Sequence, residues 1–244
     1  MDITLVCGRR PELLQQTLDS FGEKIIANFP SGAVYANIDP FCGTEADGDA
    51  CEELIRSHFH DVEISRPSEA SFGAAVKRLW RKPRSGYFLH MEDDWEALLP
   101  VFPVDIEGRL SGNVAQVQMS ARNRPYLPHR YSYKTSWINV FGLKIGKRTH
   151  FDRPLFSTSP SFIGRDFARR CGEMMDPDKD PEKQLYTDGT ELAEFTRGYR
   201  NHPLVGHGRR AVVRDLGRPW LAQRGVQKRI VEGTSVWERT VDCP

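Results

Sequence analysis

The chain has few cysteines, no paired metal-binding pattern and no long apolar run. The cysteines are odd in number and scattered: Cys7, Cys42, Cys51, Cys171 and Cys243. This pattern disfavours a disulfide framework or a structural zinc site and favours a reducing compartment. No stretch approaches the ~18 apolar residues of a membrane span. The opening "MDITLVCGRR" starts as a strand, without the charged leader and apolar stretch of a signal peptide. We therefore expect a cytoplasmic protein.

Internal repeats, low-complexity segments and a clean interdomain linker are also missing. With 244 residues, of which 39% are hydrophobic, the chain can bury one sizeable core, so we expect a single domain over 1–244. The formal net charge of +1 conceals an asymmetry, since residues 1–119 sum to −8 and residues 120–244 sum to +9. The two halves therefore suggest two different tasks.

Strands alternate with helices in the first half of the chain. Apolar runs predict strands at 3–7, 33–38, 62–64 and 87–91, and helical patterns lie between them at 11–22, 50–57 and 72–81. This alternation favours an α/β fold with a parallel sheet. The second half is less regular. Strands are predicted at 114–119, 138–143, 161–164 and 211–213, and helices at 165–175 and 190–200.

An acidic cluster, Glu92-Asp93-Asp94, follows the apolar strand at 87–91. In an extended chain Glu92 and Asp94 face one way and Asp93 the other. Oxygen ligands at this spacing suit Mg²⁺ or Mn²⁺ bridged to a diphosphate. A solvated acidic turn is the plain alternative. Arg9, Arg10 and Asp39 also follow predicted strands, and parallel sheets bind ligands at the carboxyl ends of their strands.

These segments together resemble a known family. "ITLVCGRRPELLQQTLDSF", then "YANIDP", then "GYFLHMEDDWE" is similar to the nucleotide-binding half of family-2-like GT-A glycosyltransferases, whose acidic DxD motif follows a strand. The resemblance covers roughly 1–100, and more loosely 155–220. It implies a Rossmann-like, mostly parallel central sheet flanked by helices, with a smaller acceptor-side subregion. Residues 1–100 would bind a nucleotide-sugar, here expected to be a UDP-sugar, and 101–244 would bind the acceptor.

The resemblance assigns donor-side roles by position. Seven residues would contact the donor: Arg9, Arg10, Asp39, Gly73, Lys77, Glu92 and Asp93. Asp94 would ligate Mn²⁺ or Mg²⁺. Plainer alternatives are a solvated loop for the arginines, a turn-initiating Asp39 before proline and an exposed helical Lys77.

Two further roles fall in the second half. "YTDGTELAEFTRGYR" is similar to the family segment that supplies the catalytic base, so Asp188 or Glu191 would deprotonate the acceptor hydroxyl. Helix capping is the alternative role for this segment. "AVVRDLGRPW" resembles the late strand where a histidine often ligates the metal, and Asp215 stands there instead. Asp215 paired with an arginine, and His207 as the ligand, are the alternatives.

A basic aromatic segment at 121–137 indicates the acceptor. Arginines attract phosphates and flat rings stack on bases or sugars. The candidate acceptor-binding residues are Arg122, Arg124, Tyr126, Arg130, Tyr131 and Trp137. We expect a nucleic-acid acceptor, such as a hydroxymethylated base in DNA extruded from its duplex, as for phage DNA-glycosylating enzymes. A bacterial surface glycan or a lipid-linked acceptor is the alternative.

Rival classes fit the sequence less well. A nucleotidyltransferase usually has a glycine-rich phosphate loop after its first strand, and "CGRRPELL" offers only Gly8. An aspartyl-phosphate phosphatase needs a DxD there, which is missing. The rival that is not an enzyme is a nucleic-acid-binding module on a degenerate transferase fold.

Overall fold

The computed structural model describes residues 1–123, 129–141, 143–231 and 234–239. Its centre is a seven-stranded sheet. The strands in chain order are β1 (Asp2–Cys7), β2 (Val34–Ile38), β3 (Val62–Ser65), β4 (Tyr87–Glu92), β6 (Val114–Met119), β9 (Ser161–Gly164) and β10 (Arg200–Leu204). In space their order is β10–β6–β9–β4–β1–β2–β3.

The sheet is mostly parallel. Strand β1 runs parallel to both β2 and β4, with Leu5 opposite Ala36 on one side and Met91 on the other. Strand β3 extends this block, and β10 lies parallel to β6. Only β9 among these seven strands is antiparallel to its neighbours, β4 and β6. The predicted mostly parallel α/β sheet is confirmed.

Helices cover both faces of this sheet. They are α1 (Pro11–Lys24), α2 (Glu45–His58), α3 (Phe72–Leu79), α4 (Pro103–Glu107), α5 (Arg165–Met174), α6 (Pro181–Gln184), α7 (Glu191–Thr196) and α8 (Gly217–Gln223). Local sequence sets several starts: Pro11 opens α1, and the Oγ1 of Thr44 accepts from Asp47 N at 3.2 Å at the start of α2. Within the described ranges, no helix combines the length and apolarity needed to cross a bilayer.

The core has two layers because successive side chains of a strand point to opposite faces. On one face Leu89 and Phe162 pack with Leu14, Leu18 and Phe21 of α1. On the other, the neighbouring strand residues Phe88 and Ile163 pack with side chains of α3 and α5: Val76, Leu79, Phe167 and Cys171. The central strands are therefore buried on both faces, which explains their nearly continuous apolar sequences.

Within the described residues, three two-stranded ribbons accompany this sheet. The first pairs β5 (Trp95–Ala97) with β11 (Val213–Asp215), and the last pairs β12 (Val226–Val231) with β13 (Thr234–Arg239). In the chain segment between β5 and β11, β7 (Tyr133–Val140) pairs with β8 (Leu143–Pro154). The predicted strand at 138–143 is wrong in its bounds, because its apolar residues cross the turn between β7 and β8. The predicted helix at 190–200 ends earlier, at Thr196, and Arg200 starts β10.

Candidate active site

A cleft of about 500 Å³ opens at the carboxyl ends of β1, β2 and β4. Its wall combines the first turn of α3, the loop at 177–182 and the segment that joins β11 to α8. The acidic residues that line it are Asp39, Glu92, Asp93, Asp94, Asp178, Asp180, Glu182 and Asp215. The cations that line it are Arg10, Lys179 and Arg218. The cleft is therefore strongly acidic, with a few cations at fixed places.

Arg10 is the buried cation of the cleft. Its Nε donates to Asp93 Oδ2 at 3.1 Å, and its Nη2 contacts both Asp93 Oδ1 and, at 3.2 Å, Asp94 Oδ2. The guanidinium also lies near two aromatic rings, with centroids 5.6 Å away for Phe41 and 5.7 Å for Trp220. These two carboxylates raise the pKa of Arg10 above its ordinary range, against the effect of burial. Arg10 therefore fixes the acidic turn in place.

Asp93 is turned inward and has little access to the cleft. Its side chain is about 2% exposed, and its Oδ2 accepts a second hydrogen bond from Gly8 N at 3.0 Å. Its carbonyl oxygen accepts from Thr17 Oγ1 at 2.8 Å. Both carboxylate oxygens therefore serve to join β1, α1 and the acidic turn.

Asp94 and Asp215 meet from distant parts of the sequence. Pairing of β5 with β11 sets Asp215 opposite Trp95, one residue past Asp94. The carbonyl oxygen of Asp94 accepts from Leu216 N at 2.8 Å. A Cβ at Gly217 would lie 2.1 Å from Asp94 Oδ2, so only glycine leaves room for this carboxylate.

Crowding of carboxylates in this partly buried place changes their ionisation. Burial, followed by the charge of Asp93, raises the pKa of Asp94 to about 7, although Arg10 acts in the opposite direction. Burial and the charge of Asp94 hold the pKa of Glu92 well above its usual value. Burial likewise raises the pKa of Asp39, whose Oδ1 accepts from Asn37 Nδ2 at 2.7 Å. The cleft thus carries more carboxylate than its own cations neutralise.

The donor set of this cleft suits a hard divalent cation that shares its coordination with a phosphate ligand. No group of three or more His, Cys, Asp or Glu in the described part of the chain is arranged as a metal cage. Asp94 and Asp215 supply two carboxylates on one wall, and Mg²⁺ is commonly held by one or two carboxylates plus substrate phosphates. Burial, and after it the charges of Asp93 and Asp215, raise the pKa of Asp94, and a bound cation would favour its charged form.

The other predicted donor residues divide into two groups. Asp39 and Gly73 line the cleft. Arg9 lies outside that lining and forms an ion pair with Glu45. Lys77 also lies outside it, where its Nζ donates to Met175 O at 2.6 Å. This hydrogen bond joins α3 to the end of α5, so Lys77 is partly buried and does not occupy the exposed helical position considered for it.

The two predicted base residues lie outside the cleft lining. Asp188 forms ion pairs with Arg153 at 2.7 Å and with Arg197 at 3.4 Å. Glu191 occupies the first turn of α7, with its side chain 77% exposed and 3.6 Å from Arg170. The N-cap of α7 is Thr190, whose Oγ1 accepts from Ala193 N at 3.1 Å. Thr190 therefore caps α7, as the capping alternative for this segment predicted.

Asp215 and His207 were alternatives for a further metal ligand. Asp215 lines the cleft and also pairs with Arg218, at 3.0 Å between Oδ2 and Nε. His207 lies on an exposed turn outside the cleft lining. The geometry therefore favours Asp215.

Four of the six predicted acceptor residues belong to the described part of the chain, and these four lie outside the cleft lining. Arg124 and Tyr126 fall outside the described residues. Arg122 and Arg130 are exposed, and the ring of Tyr131 packs edge-on against His202 at 6.2 Å between centroids. The side chain of Trp137 stands on the ribbon of β7 and β8. None of these four described residues lines the cleft.

Several residues that line the cleft were not predicted from the sequence. The loop "PDKDPE" at 177–182 reads as an ordinary polar loop, yet it brings Lys179, Asp180 and Glu182 into the cleft. Asp180 caps α6, with Oδ1 accepting from Lys183 N at 3.0 Å, and Glu182 follows in the first turn. The sequence does contain the pattern Asp-Pro-Glu at 180–182, which predicts the start of a helix with acidic residues in its first turn. This pattern lies more than 80 positions after Glu92, Asp93 and Asp94, so the sequence alone does not show that the two acidic segments share a cleft.

Comparison with solved structures establishes the fold. The chain superposes on a mannosyltransferase, PcManGT from Pyrobaculum calidifontis in complex with GDP-Man and Mn²⁺, with a TM-score of 0.51 and 13% identity. It superposes equally on S. aureus TarS 1-349 in complex with UDP-GlcNAc, with a TM-score of 0.51 and 14% identity. The fold is the GT-A fold of glycosyltransferases. At these identities the likeness concerns the fold alone.

The chain is shorter than these structures. The superposition covers 83% of this chain and 54% of the mannosyltransferase, and 88% of this chain and 58% of TarS 1-349. No protein-family profile matches the sequence, and no curated protein is significantly similar to it.

Proposed function

We propose that this protein is a metal-dependent glycosyltransferase that takes its sugar from a nucleoside-diphosphate sugar, with UDP as the expected nucleotide. One observation carries the proposal. Asp39, Asp94 and Asp215, from three separate parts of the sequence, line one cleft at the carboxyl ends of a GT-A sheet. Structures of the same fold hold GDP-Man with Mn²⁺ and UDP-GlcNAc.

The donor would lie along the wall formed by β1, β2 and β4. Buried Asp39 suits a hydroxyl of the ribose or a donor atom of the base, since a carboxylate accepts hydrogen bonds from both. Asp94 and Asp215 would hold Mn²⁺ or Mg²⁺. Arg218, whose side chain is 82% exposed at the rim, is placed to contact the diphosphate. Arg10 and Asp93 would act by holding the acidic turn in position.

The reaction is a displacement at the anomeric carbon. The acceptor hydroxyl oxygen forms a bond to that carbon while the bond to the nucleoside diphosphate breaks, and a carboxylate accepts the hydroxyl proton. In a single displacement the anomeric configuration inverts. A divalent cation, when bound, neutralises the charge that develops on the departing diphosphate. The role of the protein is to orient the donor and to place the base.

Three carboxylates are candidates for the base. Asp188 and Glu191 were predicted from the sequence and stay predictions. Glu182 is the candidate that the cleft itself supplies, because it lines the same cavity as Asp94 and its charge acts on Glu92. We propose Glu182 as the base on this ground.

The acceptor remains a proposal of two classes. A hydroxymethylated base in DNA is supported by the positive charge of residues 120–244 and by the exposed Arg122 and Arg130. A lipid-linked acceptor is favoured by a different observation, the apolar ribbon of β7 and β8 described in the next subsection. In both cases we propose one domain in the cytoplasm, in which 1–100 form the donor half and 101–244 form the acceptor half and also contribute Asp215 and Arg218 to the donor site.

A thermal-shift screen tests the donor proposal. Nucleoside diphosphates and nucleotide-sugars are added to the full chain with Mn²⁺ or with EDTA. We expect one nucleotide series to raise the melting temperature with Mn²⁺, and Asp94→Asn to abolish the rise. Asp19→Asn, on the exposed face of α1, is the matched control. If no nucleotide-sugar raises the melting temperature, the proposal fails.

Product analysis separates the rival classes. A glycosyltransferase releases the nucleoside diphosphate from its donor, whereas a nucleotidyltransferase releases pyrophosphate from a nucleoside triphosphate. A nucleic-acid-binding module without catalysis would bind DNA equally well with Mn²⁺, with EDTA and as the Asp94→Asn variant.

A further inference from the structure

The ribbon formed by β7 and β8 carries an unusual concentration of exposed apolar side chains. Within the described residues, most exposed large hydrophobic residues of the chain belong to this ribbon: Trp137, Ile138, Val140, Phe141, Leu143, Ile145 and Phe151. Phe141 is 102% exposed, and Leu143 and Ile145 are 69% and 64% exposed. Exposed apolar side chains concentrated in this way indicate an interaction site.

The outer part of the ribbon stands apart from the core. At the base, Tyr133 packs on Phe151 at 5.2 Å between ring centroids, and Arg153 pairs with Asp188. From 135 to 150, the hydrogen bonds and ring contacts of the described residues join one strand of the ribbon to the other, as between Ser136 Oγ and His150 Nε2 at 2.8 Å. At ~3.4 Å per residue, the six residues 135–140 project roughly 20 Å.

Charge is arranged around the apolar tip. The ribbon carries Lys134, Lys144, Lys147, Arg148 and Arg153 against a single acid, Asp152. Lys144 directly follows Leu143 at the tip, yet its ammonium lies 5.5 Å from the ring centroid of Trp137. The ammonium of Lys147 lies 4.9 Å from the same centroid. Lys144 therefore directs its charge away from the tip, leaving the outermost side chains apolar.

The backbone at the tip is also unusual. Phe141 has a φ of +49°, in the left-handed region that a bulky residue rarely adopts. Phe141 is the first residue of the short connection between Val140 and Leu143, which pair with each other, and tight hairpin turns commonly need a positive φ at that position. The turn thus holds the fully exposed ring of Phe141 at the end of the ribbon.

We propose that the tip of the β7–β8 ribbon inserts into the interface of an anionic lipid bilayer. The apolar side chains of Ile138, Val140 and Phe141, with the polar Asn139 between the first two, extend over about 10 Å, which matches the ~5–10 Å depth of interfacial segments. Trp137 lies just behind this zone, at the level where tryptophan favours the headgroup region. Lys144, Lys147 and Arg148 would then meet the anionic headgroups, each contributing favourably.

Two other occupants fit the ribbon less well. A nucleic-acid duplex would satisfy the cations, but it accepts apolar side chains only where a base step is unstacked, and the five apolar side chains between 138 and 145 exceed one such gap. A second copy of this chain would satisfy the apolar residues, but it would bring like cations together around the tip. A bilayer accommodates both features. The proposal is independent of the transfer reaction proposed above.

Vesicle co-sedimentation of the full chain tests the proposal. Vesicles of phosphatidylcholine alone are compared with vesicles that contain one quarter phosphatidylglycerol. We expect binding to the anionic vesicles, weakened by 0.5 M NaCl. The double variant Phe141→Ser/Leu143→Ser should reduce binding roughly tenfold or more, because two large apolar side chains leave the bilayer. Lys144→Glu/Lys147→Glu should remove the preference for anionic vesicles.

Matched controls separate this proposal from its rivals and from the proposed function. Val104→Ser removes a 78% exposed apolar residue elsewhere, on α4, and should leave binding unchanged. The tip variants should keep the nucleotide-dependent thermal shift, because the tip residues do not line the cleft. Failure to bind anionic vesicles overturns the proposal. Tight binding of duplex DNA in its place assigns the ribbon to nucleic acid, and loss of a dimer in the tip variant, measured by light scattering, assigns it to a second copy.

Discussion

At the scale of single residues, the cleft depends on a few side chains that position others. Arg10 binds two carboxylates at once and lies near two aromatic rings, so its charge is neutralised inside the protein. Removal of one partner from such a buried pair leaves the other charge uncompensated, which costs about 3–5 kcal/mol. The sequence predicted that Arg10, Asp93 and Asp94 would lie close together. It did not show that Arg10 and Asp93 bind each other, because that depends on the orientation of both side chains after folding.

The base is tested by comparison of three variants. If Glu182 accepts the proton, Glu182→Gln should lower kcat by about 10²–10⁴-fold with little change in the KM for the donor. Asp188→Asn and Glu191→Gln serve as controls of equal chemistry. Steady-state kinetics of the full chain would measure all three. A large loss in Asp188→Asn or Glu191→Gln with Glu182→Gln near normal would return the role to the residues predicted from sequence.

His90 gives the protein a pH-dependent stability. This ring is fully buried, and its Nδ1 lies 2.8 Å from Thr4 Oγ1. Burial lowers the pKa of His90 to about 3. In the unfolded chain a histidine takes up a proton below a pKa of about 6.5. Between these two values the unfolded state binds the extra proton, so stability falls as the pH is lowered through that window.

Chemical denaturation at several pH values measures this effect. His90→Gln should flatten the loss of unfolding free energy between pH 6.5 and pH 3 by up to about 1.4 kcal/mol per pH unit. His207→Gln, at an exposed turn, should keep the slope of the parent protein. Identical slopes for His90→Gln and the parent would contradict the prediction.

At the scale of helices and strands, the first half of the chain was predicted well. Strands β1, β2, β3 and β4 lie within about two residues of their predicted bounds, because buried parallel strands have continuous apolar sequences. The run at 138–143 was misassigned for the same reason. Its apolar residues resemble a buried strand, and sequence alone does not distinguish apolar residues in a core from those at an exposed tip. The pairing of β5 with β11 joins residues over a hundred positions apart, which local pattern does not reveal.

The contact of α3 with the loop at 177–182 offers a test of one element. A Cβ at Gly73 would lie 2.4 Å from Pro177 O and 2.5 Å from Lys179 O. Gly73→Ala must therefore displace the loop that forms one wall of the cleft. We expect a loss of stability of about 1–3 kcal/mol and weaker nucleotide binding, measured by denaturation and calorimetry.

A second glycine provides the matched control for Gly73→Ala. Nothing lies within 4 Å of a Cβ placed at Gly22, in α1. Gly22→Ala should raise stability by about 0.5–1 kcal/mol and leave nucleotide affinity unchanged. Equal nucleotide affinity in Gly73→Ala would show that the loop plays no part in binding.

At the scale of the whole molecule, the cleft joins residues from both halves of the sequence. Asp39 and Asp94 come from the acidic half, whereas Glu182, Asp215 and Arg218 come from the basic half. Donor binding should therefore stabilise the entire fold and not one part of it. The family resemblance implied that Asp215 would join the carboxylates of the first half, but the contribution of 177–182 required the folded chain.

Ligand binding gives a quantitative expectation for global stability. With Mn²⁺ and the matching nucleotide at 100 times its Kd, the unfolding free energy should rise by about 2.7 kcal/mol. The increase should appear as a single cooperative transition by calorimetry, and EDTA should remove it. Two separate transitions, with only one shifted by the nucleotide, would contradict a single domain.

The place of β9 in the sheet has a consequence for synthesis on the ribosome. Strand β4 is complete at Glu92, but its partner β9 begins only at Ser161. At ~5–20 residues per second, translation needs roughly 3–14 seconds to supply that partner. Throughout this interval the nascent chain exposes the unpaired backbone of β4, and such an edge can template pairing with another polypeptide. Ribosome stalling between these two strands would therefore release a fragment prone to aggregation.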